Sequence, residues 1–289
     1  MALDGAFLRH TAKEIEQAAL GARVDKIYQP NREEIIVSLR SREGAVRLLL
    51  SARANSARVH ITEHIPENPK QPPMLCMLLR KKLGGAKLTR VHQTELERAV
   101  SLQFDAYNEL GDLVPCTLIT EIMGRHSNVI LVDQEGKIID ALKRVDEDMS
   151  SQRLVLPGLL YRSPPPQNKL CMLHCTVKEV LQALQSIAKE QTLSDAILKT
   201  LQGVSPIVCR ELAYRACKGI DLSISQLEPC HWSALEQLLH TLFDTVKMGT
   251  GKPYMAVNLN GKPMDFSFMP IEQYDSAVHI SQFDSFSKM

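Results

Sequence analysis

Two adjacent charged residues, Glu97 and Arg98, stand at the start of an alternating segment, RAVSLQFDA. A carboxylate accepts hydrogen bonds from base amino groups or ribose hydroxyls, and a guanidinium forks onto a phosphate or stacks on a base. The pair therefore has the chemistry for contacting a nucleic acid. Taken alone, an acid beside an arginine is more typical of an exposed ion pair that contributes little to stability.

A second polar cluster is the run MGRHSN at residues 123–128, between two segments of strand character. It combines a flexible glycine, the cation of Arg125, the titratable ring of His126 and the small polar groups of Ser127 and Asn128. Such a loop can meet a phosphate or an extruded base. The alternative is a structural turn in which Ser127 and Asn128 bond to the backbone, and Arg125 is the residue that such a turn needs least.

A third candidate lies in the segment GVSPIVCRELAYRA, where Gly203 precedes the helix N-cap Ser205. It resembles a helix-hairpin-helix, whose exposed N–H groups and positive dipole end suit a nucleic-acid phosphate. A helical pair used only for packing is the alternative interpretation.

Charge is distributed unevenly along the 289 residues. Residues 1–98 hold 17 Lys and Arg against 11 Asp and Glu, a net +6, whereas the rest hold 17 against 22, a net −5. The first part is therefore the better candidate for a polyanion partner, although a solvated basic face is the alternative. This first part includes Arg80, Lys81 and Lys82, which lie in the last turn of a predicted helix. There they can bind phosphate, or they can interact favourably with the helix dipole.

Composition narrows the class of protein. Hydrophobic residues make up 44% and charged residues 23%, as in a folded globular protein long enough for two domains. Seven cysteines without a CxxC pair favour a reducing compartment, and the absence of a signal peptide or apolar span predicts a cytoplasmic protein with no membrane partner.

Four absences in the sequence argue against a catalytic or metal-dependent protein. The run Cys171-x-x-His174-Cys175 lacks the second half of a zinc site. The chain also shows no nucleophile–base spacing, P-loop or dinucleotide fingerprint. We therefore expect no metal, no cofactor and no catalytic residue.

The elements that must position these residues follow from periodicity. Asp4–Leu20 has helical spacing, residues 23–61 predict an antiparallel meander, and a helix should follow Pro73. Residues 176–246 contain three or four helical patterns, and Asn260-Gly261 predicts a hairpin. The expected fold is therefore α+β: a mostly antiparallel β domain over 1–170, completed by a 252–289 hairpin that rejoins its sheet, with an inserted helical domain over 171–251.

Several runs resemble one family in order and spacing. They are LDGAFLRHTAKEIEQAALGARVDKIYQP, PPMLCMLLRKKLGGAKL, EIMGRHSNVILVD and LPGLLYRSPPPQNK. Together they are similar to the NFACT N-terminal domain, whose bacterial members have long been described as fibronectin-binding protein A. The resemblance implies a fold like the N-terminal domain of formamidopyrimidine DNA glycosylases followed by a helix-hairpin-helix unit. A coiled coil and a second RNA-binding domain normally come next.

The resemblance also implies a function in ribosome quality control. Members of the family recognise a large ribosomal subunit that still carries peptidyl-tRNA and recruit an aminoacyl-tRNA, alanyl-tRNA in bacteria, for untemplated C-terminal tailing of the stalled chain. The ribosome itself supplies the bond-forming chemistry. Glu97–Arg98 stands where the family typically carries an Asp–Arg pair linked to tRNA engagement, so Glu in place of Asp lengthens the reach of the carboxylate.

Two other functions are possible for such a fold and family. A DNA glycosylase would use an N-terminal proline amine as nucleophile, whereas this chain begins Met1-Ala2-Leu3-Asp4. A surface adhesin that binds fibronectin is the second alternative, and neither a signal peptide nor an anchor motif supports it. We therefore expect an RNA-binding protein, with fibronectin as a secondary partner.

Overall fold

The computed structural model describes residues 3–150 and 153–289. Met1 and Ala2, on which the comparison with glycosylases depends, lie outside the described residues. The architecture is α+β, as expected, with a long antiparallel sheet, a helical unit and a second small sheet.

The first helix, α1, is Gly5–Ala19. It begins at Asp4, whose side chain accepts a hydrogen bond from the backbone N–H of Phe7 at 2.7 Å. One face of α1, including Leu8 and Ile15, is fully buried against the long sheet, as the helical spacing of its apolar residues predicts.

The long sheet has nine strands, and all neighbouring strands are antiparallel. Their order across the sheet is β4-β3-β2-β1-β5-β6-β7-β8-β9. The strands are β1 Arg23–Asn31, β2 Glu34–Ser41, β3 Gly44–Ser51, β4 Arg58–Ile61, β5 Lys87–His92, β6 Ala99–Tyr107, β7 Leu113–Glu121, β8 Asn128–Val132 and β9 Ile138–Ala141.

A helix follows Pro73, as predicted. This helix, α2, is Met74–Leu83, and it buries Cys76, Leu79 and Leu83. It covers the sheet on a face that also receives α1, so that both helices share one apolar core with strands β1 to β8.

The helical unit comprises four helices: α3 Val177–Gln185, α4 Leu193–Thr200, α5 Pro206–Ala216 and α6 Pro229–Met248. Thr176 and Glu179 form a reciprocal capping box at the start of α3. Helix α6 ends at Gly249, whose left-handed φ of 60° suits glycine. Among the helices of the described chain, none combines the length and apolar character needed to span a bilayer.

The Asn260-Gly261 hairpin forms, but its predicted pairing with the first sheet is wrong. Its strands join a separate three-stranded sheet in the order β11-β10-β12, namely β10 Tyr254–Asn258, β11 Pro263–Ser267 and β12 Val278–Gln282. The reason is apolar packing: Ala256 and Phe268 are fully buried in the core of the helical unit. Residues 252–289 therefore pack with the helices that precede them and do not complete the nine-stranded sheet.

Helix α1 connects the two cores. Its residues Ala6 and Phe7 belong to the core of the helical unit, whereas Leu8, Ala12 and Ile15 belong to the core of the nine-stranded sheet. Leu96, in the loop between β5 and β6, is also buried in the helical core. The sheet and the helical unit are thus joined at the start of α1 and at the β5–β6 loop.

Candidate nucleic-acid interface

An open groove of about 250 Å³ lies where the sheet meets the helical unit. It brings together two sequence candidates that stand more than 100 residues apart, the Glu97–Arg98 pair and the Gly203–Ser205 hairpin. Its lining comes from five stretches of chain: residues 3–5, residues 96–99, Met123, four residues within 164–169, and residues 202–206.

The loop that carries Glu97 and Arg98 is fixed by its backbone. The side-chain amide of Gln93 donates to the carbonyl oxygens of Gly5 and Glu97, both at 2.8 Å. The carbonyl of Arg98 accepts the backbone N–H of Ile122 at 2.7 Å. Both side chains therefore project from a backbone that is held by α1 on one side and by β7 on the other.

Two glycines allow the close approach that builds this junction. A Cβ atom at Gly5 would lie 1.8 Å from the carbonyl oxygen of Leu96, and one at Gly203 would lie 2.5 Å from the Cβ of Leu96. Gly203 also has a φ of +78°, which disfavours other residues. The backbone N–H of Ala6 donates to the Gly203 carbonyl at 2.8 Å. Leu96 is thus clamped between α1 and the hairpin before α5.

Glu97 and Arg98 do not form the ion pair that was the alternative interpretation. Within residues 3–150 and 153–289, neither charged group has an ion-pair or hydrogen-bond partner. Burial raises the pKa of Glu97, and the nearby carboxylates of Glu95 and Glu121 raise it further. A half-buried carboxylate and a half-buried guanidinium at the groove are therefore free to receive a ligand.

The residue that organises the groove is Asp4, which the sequence identified only as the start of a helix. Its carboxylate is buried and accepts the backbone N–H groups of Phe7 at 2.7 Å and Ser205 at 2.9 Å. Burial raises the pKa of Asp4, while the bonds to Ser205 and Phe7 and the charge of Arg98 oppose that effect.

The structure alters the expectation for the hairpin of Gly203 and Ser205. The Ser205 N–H donates to the Asp4 carboxylate and is therefore not free to bind a phosphate. The Gly203 carbonyl accepts from Ala6, and a carbonyl is not a ligand for phosphate. These two bonds join the hairpin to the start of α1, as the packing interpretation requires, and phosphate binding by its other N–H groups stays a prediction.

The run at 123–128 divides into two pairs with different surroundings. Gly124–His126 forms a 3-10 turn in which Arg125 and His126 are exposed. Ser127 is buried, and its hydroxyl accepts the Met123 N–H at 2.8 Å. Asn128 is also buried and bonds to both backbone groups of Lys143, at 2.7 and 2.9 Å. The turn interpretation therefore applies to Ser127 and Asn128, which are not accessible to RNA, and only Arg125 and His126 remain as contacts.

The basic end of α2 lies away from the groove. Arg80 donates to the Ile27 carbonyl at 2.8 Å and lies over the Tyr28 ring. Lys81 and Lys82 approach Glu109 at 3.0 and 3.9 Å. The structure does not bring these three cations to the Glu97–Arg98 groove, and internal partners reduce the charge that they offer.

Sequence reasoning missed two features near the groove. Gln167 and Lys169 line the groove. Their place at the end of a run that resembles the family is a signal that could have identified them. A buried network also lies beside the groove, in which Glu121 accepts from Arg153 at 2.9 Å and from the Tyr161 hydroxyl at 2.8 Å. Nothing in the local sequence pairs residues 121, 153 and 161.

Potential metal ligands come together elsewhere. In the described part of the chain, side-chain atoms of Glu228, Cys230 and His231 lie within 4.8 Å of one another at the start of α6. The His231 Nδ1 atom accepts the Glu228 N–H at 3.0 Å, as a helix cap does. The positive end of a helix is an unfavourable place for a cation, so this cluster is accounted for by capping.

Comparison with known proteins shows the family of the chain. The sequence profile described as "NFACT N-terminal and middle domains" matches residues 4–289.

The chain belongs to the NFACT family.

Among characterised members, the "Rqc2 homolog RqcH" of Bacillus subtilis is 40% identical over 217 residues, which are 75% of this chain and 38% of that protein. The human "Ribosome quality control complex subunit NEMF" is 29% identical over 141 residues, 48% of this chain and 12% of its own. The aligned part of this NFACT chain thus spans about two-fifths of the length of the bacterial relative.

Solved structures confirm the α+β fold of this NFACT chain. The "fibrinogen binding protein from Staphylococcus aureus" aligns over 100% of this chain and 97% of its own, with a TM-score of 0.81 and 28% identity. The N-terminal part of the fibronectin/fibrinogen-binding protein of Streptococcus suis aligns over 99% and 96%, with a TM-score of 0.79 and 29% identity. A Lactococcus lactis formamidopyrimidine DNA glycosylase reaches a TM-score of 0.38, which is too low to carry an argument.

Proposed function

We propose that this NFACT chain is the tRNA-engaging part of a cytoplasmic ribosome quality-control factor. The factor binds large ribosomal subunits obstructed by peptidyl-tRNA and recruits an aminoacyl-tRNA, alanyl-tRNA in the bacterial case, for untemplated C-terminal tailing of the stalled chain. The chain is not itself an enzyme in this proposal, because the ribosome forms the peptide bonds. Relatives named for ribosome quality control support the process, and the groove supports the contact with tRNA.

The observation that carries the proposal is the unpaired state of Glu97 and Arg98 in the groove. Half-buried charges without partners are costly, and proteins retain them where a ligand completes the interaction. A carboxylate next to a guanidinium offers an acceptor for base or ribose donors and a forked donor for a phosphate. Such a combination suits an unstacked nucleotide of an RNA better than a purely anionic or purely cationic ligand.

A second observation supports the same site. Three of the four runs that resemble the family contribute to the groove: the opening run through Leu3–Gly5, the MGRHSN run through Met123, and the LPGLLYRSPPPQNK run through residues 164–169. These runs are remote in sequence, and the fold brings them to one place. A shared binding site explains why they meet there.

The proposal is tested by sedimenting the purified chain with large ribosomal subunits that do or do not carry peptidyl-tRNA. We expect co-sedimentation to be stronger with the obstructed subunits, and Glu97→Ala/Arg98→Ala to weaken any contact that depends on tRNA. Equal sedimentation with both kinds of subunit, unaffected by the double substitution, would contradict the proposal.

Fibronectin binding is a second candidate function, because the two similar solved structures are of proteins named for binding fibrinogen or fibronectin. It requires the protein to reach the cell exterior. Digestion of intact cells with an external protease tests this: an adhesin is cleaved, whereas a cytoplasmic tRNA-binding protein is protected until the cells are lysed.

A further inference from the structure

A basic surface adjoins the groove, and its parts are held together by contacts between three loops. The β3–β4 loop touches the 3-10 turn, since a Cβ atom at Gly124 would lie 3.8 Å from the Ala54 carbonyl. The Lys143 ammonium donates to the Ala52 carbonyl at 2.6 Å. Asn128, buried beneath, fixes the backbone of Lys143. We call the cations that these loops present, Arg53, Arg58, Arg125 and Lys143, the basic ridge.

The basic ridge keeps an excess of positive charge after its internal pairs are counted. Two carboxylates contact it: Glu34 lies 3.0 Å from Arg53 and 3.8 Å from Arg58, and Glu33 lies 3.2 Å from Lys143. Four cations against two carboxylates leave a net charge of about +2 at this surface.

Arg125 is the least committed cation of the basic ridge. Its Nε donates to the His126 ring at 3.0 Å, and no carboxylate of the described residues lies within ion-pair distance of it. The Arg53 side chain is 48% exposed, with one nitrogen 3.0 Å from a Glu34 oxygen, and a guanidinium carries five N–H donors.

The chemistry of the surface distinguishes an RNA partner from a protein partner. The large apolar side chains that the described residues expose include none from 52–58, 123–126 or 143. Protein interfaces depend on buried aromatic or aliphatic anchors, whereas contacts to nucleic-acid backbones are made mainly by Arg, Lys and small polar groups. Asn55 and Ser56 are exposed polar residues on the same loop.

The basic ridge is continuous with the groove. Met123 lines the groove, and the next residue begins the 3-10 turn that carries Arg125. The backbone of Arg98 is bonded to that of Ile122, one residue before Met123. Arg98 and Arg125 therefore stand on backbone segments that are joined through Ile122 and Met123, and Arg53 stands beside Ala54, whose carbonyl faces Gly124.

We infer that the basic ridge is a second contact surface for the phosphate backbone of the RNA whose nucleotide occupies the groove. In this arrangement Ser127 and Asn128 support the ridge from beneath, and Arg125 and Arg53 contact phosphates. The inference rests on the proposed binding of tRNA at Glu97–Arg98. It adds contacts to further phosphates of the same RNA, which a single arginine cannot reach.

The test measures the affinity of the chain for deacylated tRNA and for a short single-stranded RNA over a series of salt concentrations. The variants are Arg125→Ala, Arg53→Lys, Arg53→Ala and Arg53→Ala/Arg125→Ala, with Arg98→Ala as the reference for the groove. Arg42→Ala is the matched control, because Arg42 is an exposed arginine in the β2–β3 turn, at the opposite end of β3 from the basic ridge. Its distance along the strand is roughly 25 Å.

Each lost phosphate contact lowers the salt dependence, the slope of log affinity against log salt, by about 0.7 to 0.9. We therefore expect the double variant to lose about twice that slope, Arg125→Ala about once, and Arg53→Lys and Arg42→Ala little. Arg53→Ala leaves Glu34 with a weaker partner and can destabilise the fold. Arg125→Ala carries no such risk, since the exposed His126 is the only partner of Arg125 among residues 3–150 and 153–289.

The outcomes separate the two proposals. If Arg98→Ala weakens binding and the ridge variants behave like Arg42→Ala, the ridge is not an RNA contact, while the proposed function stands. If the wild-type chain binds neither RNA, the proposed function fails and the ridge inference with it. If the ridge variants lose a protein partner on isolated subunits but no RNA affinity, the ridge is a protein contact and the inference is overturned.

Discussion

The backbone N–H of Ser205 donates to the Asp4 carboxylate at 2.9 Å, and 201 positions of sequence separate the two residues. The other oxygen of Asp4 caps α1 through Phe7. One buried carboxylate thus accepts hydrogen bonds at the starts of both α1 and α5. It joins the sheet to the helical unit at the groove. The geometry of Glu97 and Arg98 depends on this joint, because Leu96 is packed between Gly5 and Gly203.

The first prediction concerns this joint. Asp4→Ala removes a helix cap, worth about 1 kcal/mol, and leaves the part-buried N–H of Ser205 without an acceptor, which costs about 1–3 kcal/mol. We expect the free energy of unfolding, measured with urea, to fall by roughly 2–4 kcal/mol. The control is Thr176→Ala, which removes the exposed cap of α3 alone and should cost about 1 kcal/mol. Equal losses of unfolding free energy in the two variants would mean that the Asp4–Ser205 bond adds no stability beyond the helix cap.

The second prediction separates function from stability at Glu97. Because burial and neighbouring carboxylates raise the pKa of Glu97, its charged form costs stability as the pH rises above the ordinary value of 4.5. Glu97→Gln should therefore be as stable as the wild type or more stable at neutral pH, and the two stabilities should converge below pH 4.5. Its affinity for tRNA should fall, since an amide makes a weaker contact than a carboxylate. Reduced stability at neutral pH would show that the charge is structural.

The third prediction is an acid sensitivity located at His10. Its ring is buried between Phe268 and Phe286, its Nδ1 contacts the Ala6 carbonyl at 2.7 Å, and its Nε2 accepts the Gly251 N–H at 3.0 Å. An accepting Nε2 requires the neutral ring. Burial lowers the pKa of His10. The stability that depends on the neutral ring is therefore complete above the ordinary pKa of 6.5 and declines as the pH falls through the lower, folded-state value.

Melting temperatures of the wild type and His10→Asn between neutral and mildly acidic pH measure this effect. His60 and His92 also have lowered pKa values because of burial, so His10→Asn should remove only part of the pH dependence. His126→Asn, at an exposed position, is the control and should leave the pH dependence intact. An unchanged pH dependence in His10→Asn would contradict the assignment.

The fourth prediction concerns the small sheet. Phe268 is fully buried in the helical core, so Phe268→Ala should lower the free energy of unfolding by roughly 3–5 kcal/mol. Leu259, in the hairpin turn, is 83% exposed, and Leu259→Ala should change it by less than about 0.5 kcal/mol. Truncation at Gly251 should expose the helical core and cause aggregation. A truncated chain that unfolds cooperatively would show that residues 252–289 are dispensable.

Local elements were predictable from the sequence because local physics determines them. The helix after Asp4, the meander over 23–61, the helix after Pro73 and the Asn260-Gly261 turn all formed as the periodicity and turn residues indicated. The partner of the hairpin was not predictable, since alternating apolar residues such as Phe266 and Phe268 show which face is buried but not which core receives it.

The candidate site was predictable only in part. The family resemblance identified Glu97 and Arg98, and both line a groove without a side-chain partner among the residues that the structure describes. Asp4, the clamp on Leu96 and the network of Glu121, Arg153 and Tyr161 depend on long-range contacts that no spacing reveals. Ser127 and Asn128 were misjudged because a polar residue that bonds to the backbone has the same sequence signature as one that contacts a ligand.

The most direct test of the central claim, that Glu97 and Arg98 bind tRNA, is the affinity of Glu97→Ala/Arg98→Ala for deacylated tRNA, measured together with its melting curve. Loss of two contacts to charged groups, about 1.5–3 kcal/mol each, predicts at least a roughly hundredfold loss of affinity. The melting temperature should change little, because neither charged group has an ion-pair or hydrogen-bond partner in the described residues. Arg42→Ala should bind as the wild type does. Unchanged affinity in the double variant, or a large fall in its melting temperature, would contradict the account.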